Sequence, residues 1–222
     1  MNLLVLLVNV VFIFGSTVLV ERLFKKSGLY AWIAIATITA NIITAKMIDI
    51  AGITTAIGTI EFASVFLATD ILSEKYGRKE ARKGVFIGLF ASIAAIIIFQ
   101  IALLYNPSAY DYANDSMETL FGFNLRISSA SVVMFFVANI ADVWLFNKIK
   151  DKTQGRFTWL RNNVSTIVCN CLENFAFIFL AFIGVYSAGE CVEIALTTSV
   201  LEIIVALLDT PFLYLATHKK KG

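Results

Sequence analysis

Residues 85–105 read VFIGLFASIAAIIIFQIALLY, a run of 21 residues without a single charged side chain. An α-helix needs about 20 mostly apolar residues to cross the hydrocarbon core of a bilayer. The whole chain has a similar character, because 59% of its residues are hydrophobic, 15% are charged and its mean hydropathy is +0.80. Soluble domains contain about 45–50% apolar residues. The stretch therefore predicts a membrane-spanning helix.

Six further apolar runs have a similar length and character. They cover residues 2–20, 29–48, 54–72, 125–147, 164–186 and 191–217. The run at 2–20 lacks the positively charged start of a signal peptide, so we expect it to be a retained first helix. The sequence predicts an all-α, polytopic integral membrane protein of about seven transmembrane helices. We expect one transmembrane domain over residues 1–222.

The basic residues are concentrated in alternate connecting segments. Segments 21–28, 73–84, 148–163 and 218–222 hold 16 of the 18 Lys and Arg residues, whereas the segments 106–124 and 187–190 hold none. Because short cytoplasmic loops carry an excess of Lys and Arg, this pattern predicts an outside amino terminus and a cytoplasmic carboxy terminus. We therefore expect a multi-pass protein of the cytoplasmic (inner) membrane.

Several kinds of chemistry have no signature in the sequence. No glycine loop of the P-loop or dinucleotide-binding type is present, so we expect no ATP hydrolysis by this chain. The only histidine, His218, and the three cysteines at 169, 171 and 191 do not form a metal motif. The net charge of +2 gives no reason to expect a nucleic-acid partner. We expect no cofactor, no catalytic residues and no enzymatic activity.

Ionisable and amide side chains recur inside the apolar runs at helical spacing. An ionisable group at the centre of a membrane helix costs about 2.5–3.5 kcal/mol on insertion scales, so such positions are candidates for function. Spacings of three and four residues place them on one face of each helix. The sets are Asn139 and Asp142 in the fifth run, Asn170, Glu173 and Asn174 in the sixth, and Thr198, Glu202 and Asp209 in the seventh. The simplest arrangement is a shared polar cavity.

The third run adds Glu61 and Asp70, which are nine residues apart and therefore on opposite faces. Interhelical hydrogen bonding is the alternative explanation for the hydroxyl and amide groups. Asp70, Asp142 and Asp209 lie near helix ends, where pairing with cations of the loops is an alternative to a functional role.

Two blocks of sequence carry a resemblance to a known family. The first is FLATDILSEKYG at residues 66–77 with RKEARK at 78–83, and the second joins residues 126–146 to WLRNNVST at 159–166. The ending LDTPF at 208–212 adds a weaker match. Together they resemble the queuosine precursor transporter family, also called the vitamin uptake transporter family, over roughly residues 30–215. The resemblance implies import of a 7-deazaguanine base, the precursor of a modified tRNA nucleoside.

The resemblance also implies site residues. The family's acidic position after Phe-Leu-Ala-Thr matches Asp70, its fifth-helix polar and Asp pair matches Asn139 and Asp142, and its sixth-helix Asn matches Asn170, while Glu173 stands where Asp is common. This chain departs from the family at Asn139, where Gln is common, at Ala63, where a Phe-Pro pair is common, at Glu61, which replaces a neutral residue, and at Glu202, which replaces a usual Lys. The expected substrate is an aminomethyl- or cyano-deazaguanine or queuine, and the two glutamates favour a cationic base over the neutral cyano base. A proton-coupling site, or pairing with another helix, is the alternative role for Glu61 or Glu202. The predicted substrate-binding residues are Glu61, Asp70, Asn139, Asp142, Asn170, Glu173, Asn174 and Glu202.

Two other classes of function stay open at this point. A substrate-binding membrane subunit of a vitamin importer driven by a separate ATPase would have the same size and lack of ATP motifs. An intramembrane enzyme acting on a lipid or prenyl substrate would need an Asp-rich motif near a metal or phosphate. The expected partners are a small 7-deazapurine and the lipid bilayer, with a homo-oligomer as an open possibility.

Overall fold

A computed structural model describes residues 2–50, 53–122, 125–182, 184 and 186–217. Nearly all of them are helical. In chain order the elements are α1 (Asn2–Ile43), β1 (Met47–Ile50), β2 (Ile53–Ala56), α2 (Thr59–Lys75), α3 (Arg78–Ala102), α4 (Asn114–Phe121), α5 (Leu125–Lys152), α6 (Thr158–Phe182) and α7 (Ala188–Thr217). Five of these helices, α1, α3, α5, α6 and α7, are long and apolar enough to cross a membrane. The predicted polytopic helical class is confirmed.

The long helix α1 is two membrane helices joined by a sharp break at Lys25. The backbone of Lys25 has φ 58° and ψ −141°, which no α-helical residue adopts. The arms before and after the break, residues 2–24 and 26–43, correspond to the first two predicted spans. They run in opposite directions, because Asn2 at the start of the first arm donates a 2.9 Å hydrogen bond to the carbonyl of Asp49, which follows the second arm.

A short β-hairpin separates the second arm of α1 from α2. β1 and β2 pair antiparallel, with Met47 opposite Ala56 and Ile50 opposite Ile53. The predicted end of the second span at residue 48 and start of the third at residue 54 are therefore wrong. Hydropathy does not distinguish a short apolar strand from a helix end. The β-branched residues of this segment, such as Ile48 and Thr55, favour extended backbone.

Helix α2 is the centre of the bundle. Of residues 60–73, all except Phe62 are buried, and the helix packs against α1, α3, α5 and α7. Gly84 of α3 permits close approach, because a Cβ at this position would lie 2.9 Å from Ile33 Cδ1 and 3.0 Å from Leu72 Cδ1. Helix α6 packs on α5 and α7. The polar faces of α5 and α7 are thereby brought next to the buried helix α2, and α6 packs against both of them.

Candidate substrate site

The polar face of α5 points into the protein. Asn139 and Asp142 are both fully buried. The amide nitrogen of Asn139 donates to the carbonyl of Phe135 at 2.9 Å, one turn earlier in the same helix, and leaves its Oδ1 without a partner. Asp142 Oδ1 accepts a 3.5 Å hydrogen bond from the Thr166 hydroxyl, and its Oδ2 has no partner. Each side chain therefore keeps one acceptor oxygen available.

Helix α6 supplies a buried polar column opposite α5. Asn162, Thr166 and Asn170 follow one another at intervals of four residues, so they lie along one face. Asn162 Nδ2 donates to Asp209 Oδ1 of α7 at 2.6 Å, and Thr166 contacts Asp142 of α5 as described. Asn170, only 6% exposed, has an unpartnered Oδ1. The column thus connects the polar faces of α5 and α7.

Asp70 of α2 completes an interior group of acids. It is fully buried, and the charges of Asp142 and Asp209 act on it. No donor reaches either carboxyl oxygen of Asp70. Asp70, Asp142 and Asp209 therefore converge from three helices. Among the residues with described side chains, the ion pairs of this protein involve other acids, so pairing of these three with loop cations is wrong.

A second acidic group lies farther along α6 and α7. Asn174 Nδ2 donates to Glu202 Oε2 at 2.7 Å and to the Ser199 hydroxyl at 3.4 Å. Glu173 precedes Asn174, and its charge acts on Glu202. The Cys169 thiol, one turn before Glu173, lies within the electrostatic reach of Asp142, Asp70 and Glu173. The two acidic groups are therefore neighbours along the same column.

Glu61 is separate from the other predicted site residues. It accepts a 3.3 Å hydrogen bond from Asn9 of the first arm of α1. It lines a cavity of about 620 Å³ between this arm, the hairpin and the start of α2, with Asn2, Phe12, Lys46 and Ile60 among the lining residues. The sequence grouped Glu61 with the residues of α5, α6 and α7, and the structure does not bring it to them.

Two residues of the site, Asp209 and Asn162, are absent from the predicted substrate-binding residues, although the sequence placed Asp209 on the polar face of the seventh run. Both are fully buried and bonded to each other. Asp209 follows Glu202 by seven residues, which places the two on one face of α7. Asn162 belongs to the WLRNNVST block that carries the family resemblance. The spacing along α7 and the WLRNNVST block are the sequence features that could have identified Asp209 and Asn162 as site residues.

Unpartnered acceptor oxygens dominate the interior. Among the described side chains, nine buried oxygens and two arginine nitrogens have no hydrogen-bond partner. All nine oxygens belong to residues of α2, α5, α6 and α7, and apart from Glu61 Oε2 they lie on Asp70, Asn139, Asp142, Asn162, Asn163, Asn170 and Asp209. Buried acceptors without donors are uncommon in proteins. The interior is therefore suited to a ligand that donates hydrogen bonds.

A multi-pass helical membrane protein with a polar, acceptor-rich interior is the class that this fold and site define. A match to a known protein family defines this class more narrowly. Residues 56–216 match the family model described as "Putative vitamin uptake transporter". The chain therefore belongs to this family of membrane transporters, as the two sequence blocks predicted, and it is a protein of the cytoplasmic membrane.

Curated relatives agree with this assignment. The chain is 34% identical over 194 residues, 87% of this chain and 85% of the relative, to a protein of Bacillus subtilis named "Probable queuosine precursor transporter". It is 27% identical over 176 residues, 77% of this chain and 76% of the relative, to the "Queuosine precursor transporter" of Escherichia coli. No solved structure matches the chain.

Proposed function

We propose that this protein imports a queuosine precursor, a 7-deazaguanine base, across the cytoplasmic membrane for tRNA modification. The observation that carries the proposal is the set of unpartnered acceptor oxygens between α2, α5, α6 and α7. The names of the relatives agree with it. In this proposal residues 1–222 act as one transporter domain, with no enzymatic step, no cofactor and no nucleic-acid partner.

A guanine-like base is rich in donors on the edge that a protein reads. Its ring N–H and its amino group are neighbours, and a carboxylate accepts from two such donors in parallel. Asp142 has a free Oδ2 for this role, and the free Oδ1 atoms of Asn139 and Asn170 accept further N–H groups. Phe135, one turn from Asn139, is buried and contacts Phe62 with ring centroids 6.1 Å apart. These rings form an apolar wall for a flat base.

The second acidic group supports a cationic substituent on the base. Glu173 and Glu202 are close enough for their charges to interact, and Asn174 supplies an amide donor to Glu202. An ammonium group between two carboxylates forms charge-assisted hydrogen bonds, which are stronger than neutral ones. We therefore propose that an aminomethyl-deazaguanine or queuine is preferred over a neutral cyano base. Glu61 lies apart from this group and takes no part in that preference.

Uptake assays test the proposal in cells that cannot synthesise 7-deazaguanines. We expect wild-type protein to support uptake of labelled base. Asp142→Asn and Asn170→Ala should each weaken binding by about 1–3 kcal/mol, or about 5- to 150-fold in affinity, because each removes an acceptor from a buried site. Asp151→Asn is the matched control, since Asp151 is exposed at the end of α5.

Two results would contradict the proposal. Wild-type uptake by both site variants at normal protein levels would exclude this pocket, and no uptake of any deazaguanine by the wild type would exclude the substrate class.

Competition between matched cationic and neutral bases tests the charge preference. Glu202→Gln should lower the affinity for the cationic base selectively. Uptake that requires a co-purifying ATPase would favour the alternative of an ATPase-driven importer.

A further inference from the structure

Asp70 and Asp142 are fully buried on the packed helices α2 and α5, and their carboxyl groups interact with each other. Two carboxylates cannot bond to each other while both are ionised, because neither has a donor hydrogen. No other donor contacts Asp70, whose two oxygens are unpartnered although the residue is fully buried. A hydrogen bond between the two acids therefore requires a proton on one of them.

The surroundings of this pair also favour a proton. Asp209 lies close enough for its charge to act on Asp70, and its Oδ1 is bonded to Asn162, whose own Oδ1 is buried and unpartnered. Three ionised acids in a membrane interior without a bonded cation would be very unfavourable, because lipid and apolar side chains do not solvate their charges. The acids thus need added positive charge.

Groups from the other packed helices do not supply that charge by direct contact. Arg161 of α6 acts on Asp70 electrostatically, but its hydrogen bonds go to Glu74, Thr158 and the carbonyls of residues 155 and 156. Lys75 of α2 contacts Glu21 of α1, and Lys150 of α5 contacts Glu74. The described buried face of α3 carries no ionisable group. The titratable groups of α6 near Asp70 and Asp142 are Cys169 and Glu173.

A proton fits this site better than a multivalent metal ion. Among the side chains that the structure describes, no three His, Cys, Asp or Glu residues are grouped closely enough to hold a metal. We propose that Asp70 and Asp142 share one exchangeable proton and that the protein carries its substrate together with this proton. The inference rests on the proposed import of a deazaguanine and adds its energy source.

The site can hold the proton and the substrate at the same time. With the proton on Asp70, its O–H donates to Asp142, which remains an ionised carboxylate with further lone pairs that accept from the base. Loss of the proton leaves like charges on α2 and α5, which repel each other in a medium of low dielectric. The proton taken up with the base on one side is released on the other. Each neutral base therefore moves with one positive charge.

Purified full-length protein in liposomes containing a pH-sensitive dye tests the inference. Addition of neutral labelled 7-cyano-7-deazaguanine outside should cause uptake and acidify the interior. An inward gradient of one pH unit should support up to about tenfold accumulation per proton. Uptake without acidification, or accumulation driven only by a sodium gradient, would overturn proton coupling while leaving the proposed substrate intact. Absence of any uptake would instead contradict the proposed function.

Two variants locate the proton. Asp70→Asn should retain exchange of labelled for unlabelled base across the membrane but lose accumulation, because the amide cannot exchange a proton. Asp151→Asn, exposed at the end of α5, is the matched control and should retain coupled uptake. Coupled uptake by Asp70→Asn together with its loss in Asp209→Asn would assign the proton to Asp209 and overturn the assignment to the pair. If Asp70→Asn does not fold, dye acidification by the wild type still decides coupling.

Discussion

The two ends of the bundle are built differently. The basic end contains segments 21–28, 73–84 and 148–163, and all four ion pairs among the described residues lie there: Lys26–Glu80, Lys75–Glu21, Lys150–Glu74 and Arg161–Glu74. The hairpin end contains the start of α1, the β-hairpin and the connection between α3 and α4. Its polar links between elements include single hydrogen bonds such as Asn2 to Asp49 and Asn9 to Glu61.

Arg161 is the main link at the basic end. Its side chain is fully buried, and its Nη2 contacts Glu74 Oε2 at 2.6 Å and the Thr158 hydroxyl at 2.9 Å. Its Nη1 reaches the carbonyls of Gly155 and Arg156 at 3.1 and 3.2 Å. Lys150 contacts the same Glu74 at 3.0 Å. One acid at the end of α2 thus ties α5, α6 and the connection between them.

The hairpin end instead holds the cavity of about 620 Å³ beside Glu61. The two ends therefore differ in the charged contacts that join their helices. Substitutions that remove these contacts should lower the free energy of unfolding more at the basic end than similar substitutions at the hairpin end.

The largest effect is expected from Arg161→Met. The substitution removes four hydrogen bonds of a buried guanidinium and leaves two backbone carbonyls without their donor. Loss of one partner of a buried ion pair typically costs about 3–5 kcal/mol. We expect a fall of this size in the free energy of unfolding, measured in detergent micelles. Lys152→Met is the control, because Lys152 is exposed in the same region. If both variants lose the same free energy of unfolding, the contacts of Arg161 do not stabilise the basic end.

A smaller effect is expected from Glu21→Gln. Glu21 is almost completely buried and accepts from Lys75 at 2.5 Å and from the Tyr76 hydroxyl at 2.9 Å. Burial and the bond to Glu21 raise the pKa of Tyr76 to about 12, so its hydroxyl stays a donor at neutral pH. Lys75 keeps the carbonyl of Ala216 at 3.0 Å in the variant. We expect a loss of about 1–3 kcal/mol in the free energy of unfolding.

Glu193→Gln is the matched control for Glu21→Gln at the opposite end. Glu193 is exposed near the start of α7. The same change there should leave the free energy of unfolding nearly unchanged. If Glu193→Gln destabilises the protein as much as Glu21→Gln, then the two ends do not differ in the way described.

Much of the fold was predictable because hydropathy and charge are properties of single helices. The seven predicted spans correspond to the two arms of α1 and to α2, α3, α5, α6 and α7. The hairpin at 47–56 was not predictable from hydropathy, which reports only that a segment is apolar. The break at Lys25 agrees with the basic segment 21–28, whose position between two apolar runs indicated a connection.

The site was predicted only in part, because periodicity assigns a residue to a face but does not give its neighbours on other helices. Asn139 and Asp142 are buried as predicted for an inward polar face. The bond between Asn162 and Asp209 joins residues 47 positions apart and depends on how α6 and α7 pack. The rise of 1.5 Å per residue places Glu61 about 13 Å from Asp70 along α2, which explains why one pocket does not contain both.

The smallest structural change is expected from single cysteines that report which end faces the cytoplasm. The background lacks Cys169, Cys171 and Cys191, and the probes are Lys79→Cys at the basic end and Tyr110→Cys at the hairpin end. Both positions are exposed, Tyr110 to 94%. Substitutions of such residues alter stability little.

In intact cells an impermeant thiol reagent should label Tyr110→Cys and leave Lys79→Cys unlabelled until the membrane is permeabilised, because basic loops remain cytoplasmic. A permeant reagent should label both variants and shows that each thiol is accessible. Labelling of Lys79→Cys but not Tyr110→Cys from outside would show that the protein has the opposite orientation in the membrane. The cavity beside Glu61 would then lie toward the cytoplasm, and the ion pairs around Glu74 would lie toward the outside.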